Sequence, residues 1–169
     1  MMLQNIDTVI VAIDLSGPPI LEGIHENMTE GSGDTYYYNA TYTQLGNYDY
    51  YIWANDTNGN METSSPSRFT IEDYSPPFIT DILDTPDPQG TGGYVNITCT
   101  VTDNIYVATV KINLTYPDSS SINITMNEGS YYYNSTYTQL GIYYYFIWAK
   151  DTSNNCITSP IHTFTIQDI

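Results

Sequence analysis

Seven Asn-X-Ser/Thr triplets punctuate this sequence, at Asn27, Asn39, Asn55, Asn96, Asn113, Asn123 and Asn134. Their chemistry is acceptance of an oligosaccharide on the side-chain amide, which requires each Asn to face solvent in a secreted protein. Other reactive residue types are sparse. Cys99 and Cys156 offer thiol or disulfide chemistry, while His25 and His162 have no plausible partner nearby in sequence and read as surface residues. Asp103 in "TDN" and Asp151 in "KDTSNN" are oxygen donors in turns expected at one end of the fold, an arrangement suited to Ca²⁺. No Asp-X-Asp-X-Asp-Gly loop accompanies them, and Asp in turns usually caps backbone groups, so neither a metal ion nor a cofactor is expected. No Gly-X-Ser-X-Gly, His-Glu-X-X-His or phosphate loop occurs, and no carboxylate pair sits in a recognisable glycosidase frame. No catalytic residue is assigned, and the chain is not expected to be an enzyme.

Composition narrows the class further. The 169 residues hold 19 acidic side chains against three basic ones, Arg68, Lys111 and Lys150. Phosphate binding needs a basic footprint, so a nucleic-acid partner is excluded. Aromatics at 14% against 13% charged residues give ample apolar surface to bury, which separates this chain from an acidic disordered tail. The longest apolar run, "VIVAI", is far short of the roughly 20 residues a membrane-spanning helix needs, so direct insertion is not expected. The N-terminus has no signal-peptide pattern, which, beside the extracellular reading below, implies a segment of a longer or processed protein.

The elements that must position these residues are written twice. "YYYNATYTQLGNYDYYIWAND" (36–56) reappears as "YYYNSTYTQLGIYYYFIWAKD" (131–151), and "RFTIED" as "TFTIQD", all at an offset of 95. That period fits a β-sandwich module and not a short solenoid repeat. In the second copy "FITDIL", "YVNITCTV", "TVKINLTY", "SINITM", "SYYYNSTY", "GIYYYFIWA" and "IHTFTI" alternate apolar and polar residues between Pro-, Gly- and Asp-rich turns. Seven strands are predicted there. Period-two phasing sends Asn96, Asn113 and Asn123 to the face opposite the apolar set, where sugar can attach; a plain polar sheet face gives the same pattern. The same phasing leaves Tyr51 and Trp53 outward, and Tyr144, Phe146 and Trp148 outward in the second copy. An outward aromatic stripe is unusual for a monomer. Packing against a neighbouring module or subunit is preferred as its explanation, ahead of cover by a glycan and of a carbohydrate-binding platform.

These features together resemble the immunoglobulin-like repeats, including the hyalin-repeat type, of bacterial and archaeal cell surfaces. The carrying residues are "DYSPPFI", "VTDN", "YYIWANDTNGN" with its copy "YYFIWAKDTSNN", and the closing "FTIED" and "FTIQD". The resemblance implies a tandem of antiparallel β-sandwiches, 1–73 and 74–169, joined at Ser-Pro-Pro. It also implies that Tyr48 in "LGNY" and Tyr143 in "LGIY" form tyrosine corners, their hydroxyls tying a turn to a strand. Residues 75–103 precede the "TVKINL" strand of the second module, whereas the first starts almost at its counterpart, "TVIVAI". The first module is therefore expected to lack two N-terminal strands, either because the sequence is cut from a longer repeat protein or because another chain supplies them. Cys99 and Cys156 depart from the usual immunoglobulin pairing. Their joint absence from the first module fits a disulfide, with two reduced thiols as the alternative. The resulting expectation is a glycosylated, extracellular, archaeal-type structural repeat of a stalk, surface layer or filament. Its partners would be itself or neighbouring modules, and the alternative is an adhesive or carbohydrate-binding module.

Overall fold

A computed structural model describes residues 5–15, 23–127 and 129–169. The chain is all-β, and it divides into two compact units, Met1–Glu72 and Asp73–Ile169.

Unit 2 builds its core from alternation. Its strands are β8 (Phe78–Thr85), β9 (Gln89–Gly90), β10 (Tyr94–Thr102), β11 (Val107–Thr115), β12 (Ser121–Thr125), β13 (Tyr131–Thr136), β14 (Gly141–Asp151), β15 (Cys156–Thr158) and β16 (His162–Gln167). They form two sheets, β13–β10–β8 and β12–β11–β14–β16–β9, with β15 added to β14. Every second residue points between the sheets: Val95, Ile97 and Cys99 from β10, Val110, Ile112 and Leu114 from β11, and Tyr143, Tyr145, Ile147 and Ala149 from β14. All are buried, because each strand faces an opposing apolar sheet. In the usual immunoglobulin arrangement the fourth strand joins the sheet of the first two. Here β12 hydrogen-bonds to β11 instead, in the opposite sheet, because the short "PDSS" turn returns the chain antiparallel onto β11.

Unit 1 repeats only one of these sheets. Its strands are β1 (Ile6–Leu15), β2 (Ile24–Asn27), β3 (Thr29–Glu30), β4 (Tyr36–Tyr37), β5 (Gly46–Asp56), β6 (Met61–Thr63) and β7 (Ser67–Ile71). The order β2–β1–β5–β6, with β7 also on β5, matches β12–β11–β14–β15 with β16. Even the irregularity recurs: register shifts fall between Ile6 and Thr8 in β1 and between Val107 and Thr109 in β11. Among the described residues, unit 1 has no counterparts of β8 and β10. The consequence is visible in β4. Tyr131–Thr136 is a six-residue strand paired along β10, whereas the near-identical residues 36–41 are strand only at Tyr36–Tyr37, paired to the two residues of β3.

Both units share an aromatic cluster at the turn into their longest strand. Tyr48 stacks on Phe69 at 5.1 Å with Tyr42 edge-on to both, and Tyr143 stacks on Phe164 at 4.8 Å with Tyr137 edge-on to both. The expected tyrosine corners are present: Tyr48 Oη donates to the Gln44 carbonyl at 2.9 Å and Tyr143 Oη to that of Gln139 at 3.0 Å. In the "DTNGN" turn Gly59 takes φ = 80°, and in "DTSNN" Asn154 takes that left-handed place with φ = 73°. Asn tolerates this region better than other residues bearing a Cβ, so the second turn keeps its shape without Gly.

Candidate interaction and glycosylation surfaces

Three surfaces gather the residues singled out by sequence. The first is the outer face of the β11–β14 sheet. Tyr144, Phe146 and Trp148 lie on it opposite Thr115, Asn113 and Lys111. Tyr144 is 48% exposed, while Phe146 and Trp148 are half-buried, and the Lys111 ammonium sits 5.8 Å from the Trp148 ring centroid. That cation–π contact places one of the chain's few positive charges on an aromatic face, where the ring quadrupole attracts it. In unit 1, Tyr51 and Trp53 pair with Ala12 and Ile10 and are half-buried. The aromatic side chains are therefore partly covered by their own sheet neighbours, and the open ring is Tyr144.

The second feature is the placement of the sequons, which sequence spacing did not reveal. Asn113 on β11 stands directly opposite Asn123 on β12, and Asn96 on β10 directly opposite Asn134 on β13. Directly opposed residues bring their Cβ atoms to about 5 Å. The four sequons of unit 2 therefore form two side-by-side pairs, one on each outer sheet face. The Asn96–Asn134 pair borders a shallow concavity of about 560 Å³ with Tyr94 and Tyr132 at its rim. Asn27, Asn39, Asn123 and Asn134 are exposed, and Asn96 and Asn113 half-buried. Asn55 differs. It is half-buried within β5, and its side-chain oxygen has neither exposed surface nor a hydrogen-bond partner. The signal that could have flagged it is its counterpart in the other repeat, Lys150, which breaks the sequon.

The third surface is the inner face of unit 1. Val11, Ile13 and Tyr48 are buried, but Tyr50, Ile52, Ala54, Phe69 and Ile71 are only half-buried. Their counterparts Tyr145, Ile147, Ala149, Phe164 and Ile166 are at most 1% exposed. An open groove of about 510 Å³ runs over this face, lined by Val11, Ile13, Tyr38, Tyr42, Tyr50 and Phe69 among others. Sequence reasoning identified the missing strands but not that Met28, Tyr38 and Tyr42 would fold over part of the gap.

The cysteines correct an expectation. Cys99 and Cys156 are both free thiols. Cys99 lies in the core with its Sγ 4.0 Å from Met126 Sδ, and burial pushes its pKa up to about 11. Cys156 is exposed at the start of β15, its Sγ 3.5 Å from the Asn154 carbonyl. One side chain points between the sheets and the other away from them, so no bridge forms. His162 also differs from its expected surface role. It lies in β16, half-buried, stacked at 5.5 Å on Tyr145, whose hydroxyl donates to Asp84 at 2.6 Å. Burial first, and then this bond to Asp84, hold the Tyr145 hydroxyl above its usual pKa. His25 is exposed on β2. Asp56 and Asp151 are buried carboxylates that order the hairpin turns after β5 and β14: Asp56 accepts from the backbone of Asn58 and Asn60, and Asp151 from that of Asn155. No helix of the described residues is long and apolar enough to cross a membrane.

No protein-family model matches the chain, and no curated protein matches it. Among solved structures, a tetra-tandem repeat from the extending region of a large adhesion protein is similar over 97% of this chain, with 17% identity and a TM-score of 0.53. The chain adopts an immunoglobulin-like sandwich fold. It spans 42% of that structure's length. Fibronectin(III)-like modules of Clostridium thermocellum CbhA match over 99% of the chain at 15% identity and a TM-score of 0.42. The FN1–FN3 domains of chicken CNTN1 match over 96% at 14% identity and a TM-score of 0.45.

Proposed function

We propose that this chain is a non-enzymatic, extracellular structural segment of a cell-surface stalk, layer or filament, assembled by strand complementation and glycosylated on its outer faces. The observation that carries the reading is the matched pair of sheets. The same residue sequence that is sealed by β8 and β10 in unit 2 is left open in unit 1. A groove of apolar and Tyr side chains beside the unpaired edge of β4 is what an added strand pair recognises, through backbone hydrogen bonds and alternate side chains. The occupant is a strand pair of the β8–β10 type from a neighbouring module of the same protein. Taking such a side chain from exposed to fully buried contributes about 1.5–3 kcal/mol, and these half-buried ones would gain the remaining part of that on sealing. Similarity to an adhesion-protein repeat supports the fold on which the proposal rests.

Sequons on both outer faces of unit 2 support a sugar coat, since a chain with so few charged residues needs another source of surface hydration. Electron microscopy of native material, with intact-mass measurement, tests the proposal. Ordered polymers carrying added sugar mass are expected. Isolated monomers that retain polysaccharide would replace it with the carbohydrate-binding alternative, and unmodified mass would remove glycosylation from it.

A further inference from the structure

Asp73, Asp103 and Asp151 come from three distant parts of the sequence and meet within unit 2. One carboxylate oxygen of each lies within 4.8 Å of the other two. Asp151 is wholly buried and Asp73 is 8% exposed. The turns account for only some of their oxygens. Asp151 Oδ1 and Oδ2 accept from the backbone and side-chain amides of Asn155. Asp103 Oδ1 accepts from the Ile105 and Tyr106 N–H groups, and Asp73 Oδ1 from Ser75 N and Asn104 Nδ2. Asp73 Oδ2 and Asp103 Oδ2 have no exposed surface and no hydrogen bond of ordinary geometry, and the Ser153 and Asp151 side chains also face Asp73. A nearly buried carboxylate with such an oxygen beside two others is an arrangement that water does not relieve and like charge opposes.

No cationic side chain relieves it either. Of the three in the sequence, Arg68 pairs with Asp49, Lys111 lies over Trp148, and Lys150 donates to Asn154. His162 stacks on Tyr145, and His25 is exposed on β2. The geometry points to a Ca²⁺ site in which Asp73, Asp103 and Asp151 supply carboxylate oxygens and the ion ties the first residue of unit 2 to the β10–β11 and β14–β15 turns. An all-oxygen set suits a hard divalent ion. Ca²⁺ takes oxygens at about 2.3–2.6 Å in a flexible geometry, which suits carboxylates drawn from three separate turns better than the near-ideal octahedron that Mg²⁺ demands. The sequence reading weighed Asp103 and Asp151 as ligands and set them aside. The third carboxylate, at the end of "FTIED", could be joined to them only by the fold.

Calorimetry of the full chain at pH 7 and physiological salt, in EDTA and at about 1 mM Ca²⁺, tests the site, because extracellular sites are tuned near that range. Calcium is expected to raise the unfolding temperature of unit 2 by about 5 °C or more, climbing with log concentration, and Mg²⁺ to do less. Asp103→Asn keeps the Oδ1 acceptor of its turn and removes one charge. It should abolish the rise, and in EDTA it should unfold at the same or a higher temperature than the parent, because repulsion is relieved. Asp73→Asn should behave alike, and Asp118→Asn, in an exposed turn, should keep the rise. Tb³⁺ luminescence sensitised by tyrosine should report one site per chain in the parent and none in Asp103→Asn. No rise at tenfold more Ca²⁺, or a rise that both Asp103→Asn and Asp73→Asn retain, overturns the inference and leaves only diffuse counterion binding to an acidic chain. Failure of the assembly proposal would leave this result untouched.

Discussion

At the scale of single residues, hydroxyls that look alike in the sequence have opposite energetic roles. Tyr143 Oη is bonded to the Gln139 carbonyl, whereas Tyr137 Oη, in the same aromatic cluster, is buried without a partner. Removing a satisfied hydrogen bond costs about 1 kcal/mol, and removing an orphaned polar atom relieves a desolvation cost. Tyr143→Phe should therefore destabilise unit 2 by about 1 kcal/mol in urea unfolding, and Tyr137→Phe should be neutral or stabilising. Equal losses in the two variants would contradict the assignment. Cys99 sets an alkaline limit. Its thiol has an ordinary pKa of 9.0 and is raised by burial to about 11, so the unfolded chain loses this proton first. The contribution is fully present below pH 9 and is lost as pH rises through about 11, a fall of about 2 kcal/mol. Thermal unfolding followed from pH 8 to 11 should show a shallower decline in Cys99→Ala than in the parent. In native protein at pH 8, a thiol reagent should titrate Cys156 and leave Cys99 unreacted.

At the scale of elements, the internal repeat works as a controlled comparison. β5 and β14 share most of their sequence, their register to the neighbouring strand and their tyrosine corner. They differ in what faces them. Ile147 is completely buried between two sheets, and Ile52 lies half-buried beneath an open groove. Ile147→Ala should cost about 3–4 kcal/mol, near the middle of the range for fully buried sites. Ile52→Ala should cost less than about half of that in the isolated chain, because much of its side chain is already hydrated. A similar loss at both positions would mean the groove is closed in solution. Alternation alone identified these strands and their faces, since a half-buried sheet imposes a period of two on any sequence. It could not assign β12 to β11, or shorten the 36–41 strand to two residues, because pairing depends on which strand is available across the ladder. The choice between a disulfide and two reduced thiols was open for the same reason, because where Cys156 points relative to Cys99 depends on the packing of two sheets.

For the whole molecule, the two units have unequal means of support. Unit 2 closes a core between two sheets, and unit 1 has one large sheet, the short β3–β4 pair and a small cluster around Val11, Ile13 and Tyr48. A sheet that buries one face incompletely lacks the apolar area needed to offset chain entropy. Calorimetry of the chain should resolve two transitions, with unit 1 unfolding at the lower temperature; one cooperative transition would show that the units stabilise each other. The fold class, the repeat and the strand phases were written in the sequence, because each is set by local periodicity and by residues close along the chain, and the tyrosine corners were implied by the resemblance those residues carry. Pairing of the sequons across strands, separation of the thiols and convergence of Asp73, Asp103 and Asp151 were decided only by tertiary structure. These are juxtapositions of residues far apart in sequence, and no local physical rule links such positions until the ladders and the sheet packing are formed.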